Sequence, residues 1–191
     1  MIKKISQNIG KIIRNFQGIP RKGEFTIEQY NSFLCNKYDT MYVNLLSNVL
    51  HKHLTENEIK TSLIGVGSTI SGISTNNNSS FYSENSDIDL KLIINNQNQS
   101  DQFYNALNSI EPILKNNFIN VKNHMNINRM PGTKHTDDYM NFGYDKCYII
   151  KPPMGKKLDL IVKNTCYLTA KDHIHKEREK NNAFVILYQD K

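Results

Sequence analysis

The sequence predicts an α/β chain of the α+β kind, a mixed sheet with flanking helices. Three observations carry that prediction. Apolar residues recur at helical spacing in two long stretches, Phe33, Tyr42, Leu45, Leu46 and Leu50 in one and Phe103, Leu107, Ile110 and Leu114 in the other, which gives each helix one apolar face. Short apolar runs of strand length lie between and after them, at Ser62–Val66, Asp87–Ile94, Leu158–Val162 and Phe184–Tyr188. Turn residues separate the two kinds of segment, Gly67-Ser68 at one point and Pro152-Pro153-Met154-Gly155 at another.

Taken in order, Met1 to Lys22 is basic and contains no acid. Ile2, Ile5, Ile9, Ile12, Ile13 and Phe16 recur at helical spacing among Lys3, Lys4, Lys11 and Arg14, the pattern of a basic amphipathic helix. Its functional readings are a membrane-surface contact through residues 1–22, an RNA contact or an organelle-targeting segment. Packing of its apolar face on the domain or a sister subunit is favoured over these, because most amphipathic helices are ordinary surface helices. Gly18, Pro20 and Gly23 break the pattern, so the chain divides into an N-terminal segment, 1–23, and a domain, 24–191.

Thr26 and Gln29 have the spacing of a capping box, and Phe25 with Tyr30 that of a hydrophobic staple. They predict a helix from Thr26 to about His53. Ser62–Val66 then reads as a short buried strand aimed at the Gly67-Ser68 turn. A helix from 101 to about 116, capped by Ser100, follows the Asp87–Ile94 strand. Phe118 to Ile127 alternates as a strand, and Cys147–Ile150 with Leu158–Val162 reads as a hairpin. A helix near Thr169 to Asn181 and a strand at Phe184–Tyr188 close the domain.

The chemistry concentrates in three acids. Asp87 and Asp89 stand at i and i+2 in a strand, so both point to one face while Ile88, Leu90 and Leu92 point to the other. Asp159, between Leu158 and Leu160, sits in a second apolar run that a neighbouring strand would present beside the pair. Crowded carboxylates repel one another unless a cation neutralises them. Hard oxygen donors without His or Cys favour Mg2+ (or Mn2+) over zinc. Each part alone is ordinary: Gly-Ser turns join many strands to helices, and an Asp-x-Asp at a strand head is commonly a solvated edge. Their order, and the embedding of each acid in an apolar strand where a solvated face would offer Lys, Thr or Ser, favour a metal site.

With Val66-Gly67-Ser68, Gly72, Asp87-Ile88-Asp89 and Asp159 in place, the chain resembles the nucleotidyltransferase superfamily related to DNA polymerase beta, in its minimal single-domain form. The likeness runs from the helix before Gly67 to the C-terminus, and Ser86-Asp87-Ile88-Asp89-Leu90 is its most specific part. The segment Ser74 to Asn85 departs from it, being longer and richer in Asn and Ser than in many members. The resemblance implies the polymerase beta-like nucleotidyltransferase fold and a nucleoside triphosphate (NTP) as substrate. It also implies roles: Gly67 and Ser68 bind the β and γ phosphates, and Asp87 and Asp89 hold two metal ions. Asp159 completes the metal nearest the acceptor and helps to deprotonate its hydroxyl. Lys91, on the same face as Asp89, is a candidate cation for the nucleotide.

Composition bounds the rest. A chain of 191 residues holds one sizeable core. Members of the superfamily that extend RNA add a helical domain over the base, and this sequence offers none, so an open site is expected. The net charge of +6 fits an anionic partner, although the Asn and Lys excess also follows from an AT-rich genome. Cys35, Cys147 and Cys166 lack metal-like spacing and lie among apolar or aromatic neighbours, as suits reduced, buried thiols in a cytoplasmic protein. No run reaches membrane-spanning length. His124, the Asp137-Asp138 pair, His173 and His175 read as structural or solvated, and no P-loop run is present. The polar and aromatic segment Arg129 to Asp145 is the candidate for acceptor contact.

Three functions follow as expectations: transfer of a nucleoside monophosphate to a macromolecular acceptor, protein or RNA; transfer to a small molecule of the aminoglycoside type; and a non-catalytic, antitoxin-like nucleotide-binding module. The intact acid triad argues against the third.

Overall fold

The computed structural model describes residues 21–34, 36–72, 87–94, 100–125, 146–163 and 170–190. The capping box forms as its sequence requires: Gln29 N–H donates to Thr26 Oγ1 at 3.2 Å, and Thr26 N–H donates to Gln29 Oε1 at 2.8 Å. It starts helix α1, Ile27–Phe33, just after the two-residue strand β1, Glu24–Phe25. Phe25 packs edge-on against Phe33, with ring centroids 5.2 Å apart. Tyr30, the expected staple partner, is buried in the main core.

The single helix expected from Thr26 to His53 is two helices. The chain is extended at Leu34, and Asn36 caps a second helix, α2, Lys37–Glu56, by accepting from Tyr38 N–H at 2.9 Å. A short amide side chain that caps a new helix competes with continuation of the old one. Helix α2 buries Val43, Leu46, Leu50 and Leu54 along one stripe. Strand β2, Thr61–Val66, is buried along its whole length and leads through Gly67 into helix α3, Ser68–Ser71.

Strand β3, Ile88–Ile94, is followed by helix α4, Ser100–Asn117. Ser100 is thus the first helical residue and not the cap. Strands β4, Val121–Met125, β5, Lys146–Ile150, and β6, Leu158–Lys163, come next, then helix α5, Ala170–Glu179, and strand β7, Phe184–Gln189. The strand expected over 118–127 therefore starts later, at Val121, and the expected β5–β6 hairpin is present as an antiparallel pair. Cys147, expected to be buried, is half-exposed. Cys35, Cys166, Asp137, Asp138 and the segments 1–20, 73–86 and 126–145 lie outside the described residues.

The described strands form one mixed sheet of seven, in the order β1-β7-β2-β3-β6-β5-β4. Strands β3 and β6 are parallel, as are β1 and β7, and the remaining pairs are antiparallel. With five helices among the described residues, the architecture is the mixed α/β one that the sequence predicts. Period-two alternation divides the sheet between two cores. Ile88, Leu90, Leu92 and Ile94 of β3 join the main core with α1, α2 and α4. Ile93 turns the other way and meets Ile64, Val66, Phe184 and Ile174 of α5. Asp89 and Lys91 share this second face, where α5 meets Ile93 through Ile174 and Lys91 through Glu177. No described helix is long and apolar enough to cross a membrane.

Candidate functional site

The parallel register of β3 and β6 sets Asp89 directly opposite Asp159. Two acids far apart in sequence are thereby neighbours on one face, about 5 Å apart at the backbone as adjacent strands are. Asp87 stands just before β3, and Ile88 N–H donates to Lys157 O at 2.9 Å, which fixes the entry of β3 against the entry of β6. At this point the carboxylates of Asp87 and Asp159 meet on one cation. Lys157 Nζ lies 2.7 Å from Asp87 Oδ2 and 3.4 Å from Asp159 Oδ2. Burial opposes the charge of Lys157, but the hydrogen bond to Asp87 and the charges of Asp159 and Asp87 outweigh it and raise its pKa above the ordinary lysine value.

Gly67 belongs to this site for a reason the sequence does not show. Its φ is +81°, in the left-handed region, and a Cβ there would collide with the carboxylate of Asp89. In the fold the missing side chain makes room for Asp89. Ser68, half-buried, opens α3, and the first amides of any helix have no carbonyl four residues back to meet. The helix is a single turn of four residues, so its dipole is small and the local N–H groups must carry any attraction for an anion.

Helix α3 is held from two sides. Thr69, buried, donates from Oγ1 to Asp87 O at 3.0 Å, tying the turn to the acid strand. Arg21 donates from Nε to Ile70 O at 2.6 Å and from a terminal guanidinium nitrogen to Thr69 O at 2.9 Å, and its guanidinium lies 4.0 Å over the Phe33 ring. Arg21 therefore caps the last carbonyls of the turn, although the sequence places it in the basic N-terminal segment. Gly72, at φ +74°, closes the turn in the left-handed conformation.

Lys91, expected at the nucleotide, is engaged elsewhere: its Nζ lies 3.0 Å from Glu177 Oε1 of α5. The cation that meets the acids is Lys157, and its signal was available, since it precedes Asp159 by two residues and a strand turns both to one face. Asp39 and Tyr30 carried no such signal. Asp39 is buried in the first turn of α2 and accepts from Lys156 N–H at 2.7 Å, holding the turn before Lys157; Gly155, at φ +89°, passes close over it. Tyr30, buried beneath Gly65, has its pKa raised first by burial and then by the charges of Asp89 and Asp39, so its phenol stays protonated.

The donor set fits a divalent cation in kind. Three carboxylates supply hard oxygens, and the Lys157 ammonium, a stand-in cation, shows that Asp87 and Asp159 converge on a single positive charge. In this arrangement no three His, Cys, Asp or Glu side chains among the described residues come close enough together to hold a metal ion. No protein-family model, curated protein or solved structure matches this chain.

Proposed function

We propose that the protein is a metal-dependent nucleotidyltransferase of the polymerase beta-like kind, moving a nucleoside monophosphate from an NTP to a hydroxyl of a protein or an RNA 3′ end, with release of pyrophosphate. The observation that carries the reading is the register of Asp89 opposite Asp159, with Asp87 joined to Asp159 through one cation beside a tight Gly67-Ser68 turn. Asp87, Asp89 and Asp159 would hold Mg2+ or Mn2+. Bound metal would supply Lewis-acid charge to the reacting phosphate and lower the pKa of the acceptor hydroxyl.

The chain's own residues do the rest. Amides at Gly67 and Ser68, with the Ser68 hydroxyl, receive the β and γ phosphates. Thr69 and Arg21 keep that turn in place, so its donors need no reorganisation when charge develops. Asp159 accepts the proton of the acceptor hydroxyl. The polar and aromatic segment Arg129 to Asp145, which joins β4 to β5, supports a macromolecular acceptor over a small one.

The test is incubation with each α-phosphate-labelled NTP, Mg2+ and cell lysate. Label is expected in a protein or RNA band, and Asp87→Ala, Asp89→Ala or EDTA should reduce it at least about 10²-fold without altering the circular dichroism of the fold. Labelling that survives both substitutions, or resists EDTA, overturns the reading. One observation favours a second reading, a nucleotide-binding module without chemistry: Lys157 already neutralises two of the three acids. Binding of a non-hydrolysable NTP with no transfer to any lysate component would support it.

A further inference from the structure

The role of Lys157 follows from the reading of Asp87, Asp89 and Asp159 as metal ligands. The backbone of Lys157 is pinned on both sides. Its carbonyl accepts from Ile88 N–H at 2.9 Å, and the preceding residue, Lys156, donates to the buried Asp39 at 2.7 Å. The side chain above this fixed backbone has four rotatable bonds and is 28 % exposed, so its ammonium can leave the acids for solvent without moving either strand. The ammonium sits against Oδ2 of both Asp87 and Asp159, and a metal ion bridging this pair needs oxygens of the same two carboxylates.

We propose that Lys157 is an exchangeable counter-ion, whose ammonium neutralises Asp87 and Asp159 until a divalent cation displaces it, so that this lysine sets the metal affinity of the site. The physical logic is a competition for one pair of ligands. Without any cation, carboxylates held close on adjacent strand ends repel one another and strain the fold. A tethered ammonium removes that repulsion in the absence of metal, and whatever stability it contributes must be given up when metal enters. A divalent ion wins by its larger charge and by direct coordination, and the lysine lowers its apparent affinity by the strength of the ion pair it breaks.

Titration of the full chain with Mn2+ alone, followed by electron paramagnetic resonance without nucleotide, tests this. Lys157→Met should bind Mn2+ at least about tenfold more tightly than the unaltered protein, since its two part-buried ion pairs, together worth about one factor of ten, no longer oppose the metal. Lys157→Arg, with a planar fork that can bridge both carboxylates, should bind it more weakly than the unaltered protein. A readout that needs no variant is acetylation of the unaltered protein by acetic anhydride, mapped by peptide mass spectrometry. Mg2+ should increase labelling of Lys157 and leave that of Lys91, held by Glu177, unchanged. A Met-to-unaltered affinity ratio below tenfold, Lys157 labelling indifferent to saturating Mg2+, or no Mn2+ binding in any of the three proteins overturns the proposal. Transfer assays on the same samples separate the two readings. Asp89-dependent transfer with equal Mn2+ affinities removes the exchange and keeps the enzyme; graded affinities without transfer do the reverse.

Discussion

Lys157 and Lys91 are nearly equally exposed, 28 % and 26 %, and each stands two residues from an acid of the site. They differ in what holds them. Among the described residues Lys91 meets a single carboxylate, Glu177, which α5 supplies and Asn182 also binds at 2.6 Å, so the pair fastens a helix to the sheet. Lys157 lies between two carboxylates at the heads of adjacent parallel strands, 2.7 Å from one and 3.4 Å from the other. A cation with one partner on a packed helix is structural. A cation shared by two acids at the strand heads occupies a place that another cation can take.

The largest expected effect falls where the acids are most tightly placed. Gly67→Val adds a branched side chain at positive φ against the Asp89 carboxylate, and should destabilise the fold by about 1–3 kcal/mol while displacing that carboxylate. Mn2+ binding and nucleotidyl transfer should both be lost in protein that remains folded, as isothermal titration and label transfer would register. Retained Mn2+ affinity would mean that Asp89 is not a ligand, and the comparison would then rest on Asp87 and Asp159 alone.

A smaller effect is expected at the other lysine. Lys91→Met should lower unfolding stability in urea by about 1–2 kcal/mol, between the values typical of exposed and of buried ion pairs. Its Mn2+ affinity should stay within about twofold of the unaltered protein. An affinity change as large as that in Lys157→Met would erase the distinction between the two cations.

The smallest effect is a pH dependence. Burial raises the Glu177 pKa, but the hydrogen bond from Asn182 and the charge and hydrogen bond of Lys91 outweigh it, and the net shift is downward from 4.5. A carboxylate whose folded pKa is depressed contributes stability that is fully present above its unfolded value and is lost as pH falls through the folded one. Urea midpoints should therefore decline below about pH 4.5, and the decline should be shallower in Glu177→Gln. An unchanged slope in that variant would show that Lys91 does not depend on Glu177 for its place.

Much of the fold was legible because it is written in local periodicity. The Thr26-Gln29 spacing starts α1, Leu46 and Leu50 face α2 inward as their spacing predicts although Leu45, read on the same face, is exposed, and the alternation through Ile88, Leu90 and Leu92 turns Asp89 to the opposite face from the main core. The break at Leu34–Asn36 was missed because helical periodicity continues across it, while a single Asn side chain decides where the second helix begins. Strand β1 was missed because two residues are too few to show a period.

By itself the sequence determined that three acids lie in or at the head of apolar strands and that a small-residue turn precedes two of them, since side-chain spacing along a strand dictates which face each residue takes. Only the tertiary structure decided that β3 and β6 are parallel neighbours in a register that sets Asp89 against Asp159. It also decided that Lys157 and not Lys91 meets the acids, and that Gly67 yields its space to Asp89. These are contacts between segments far apart in the chain. They depend on strand order and on the shape of two cores, which no local spacing encodes.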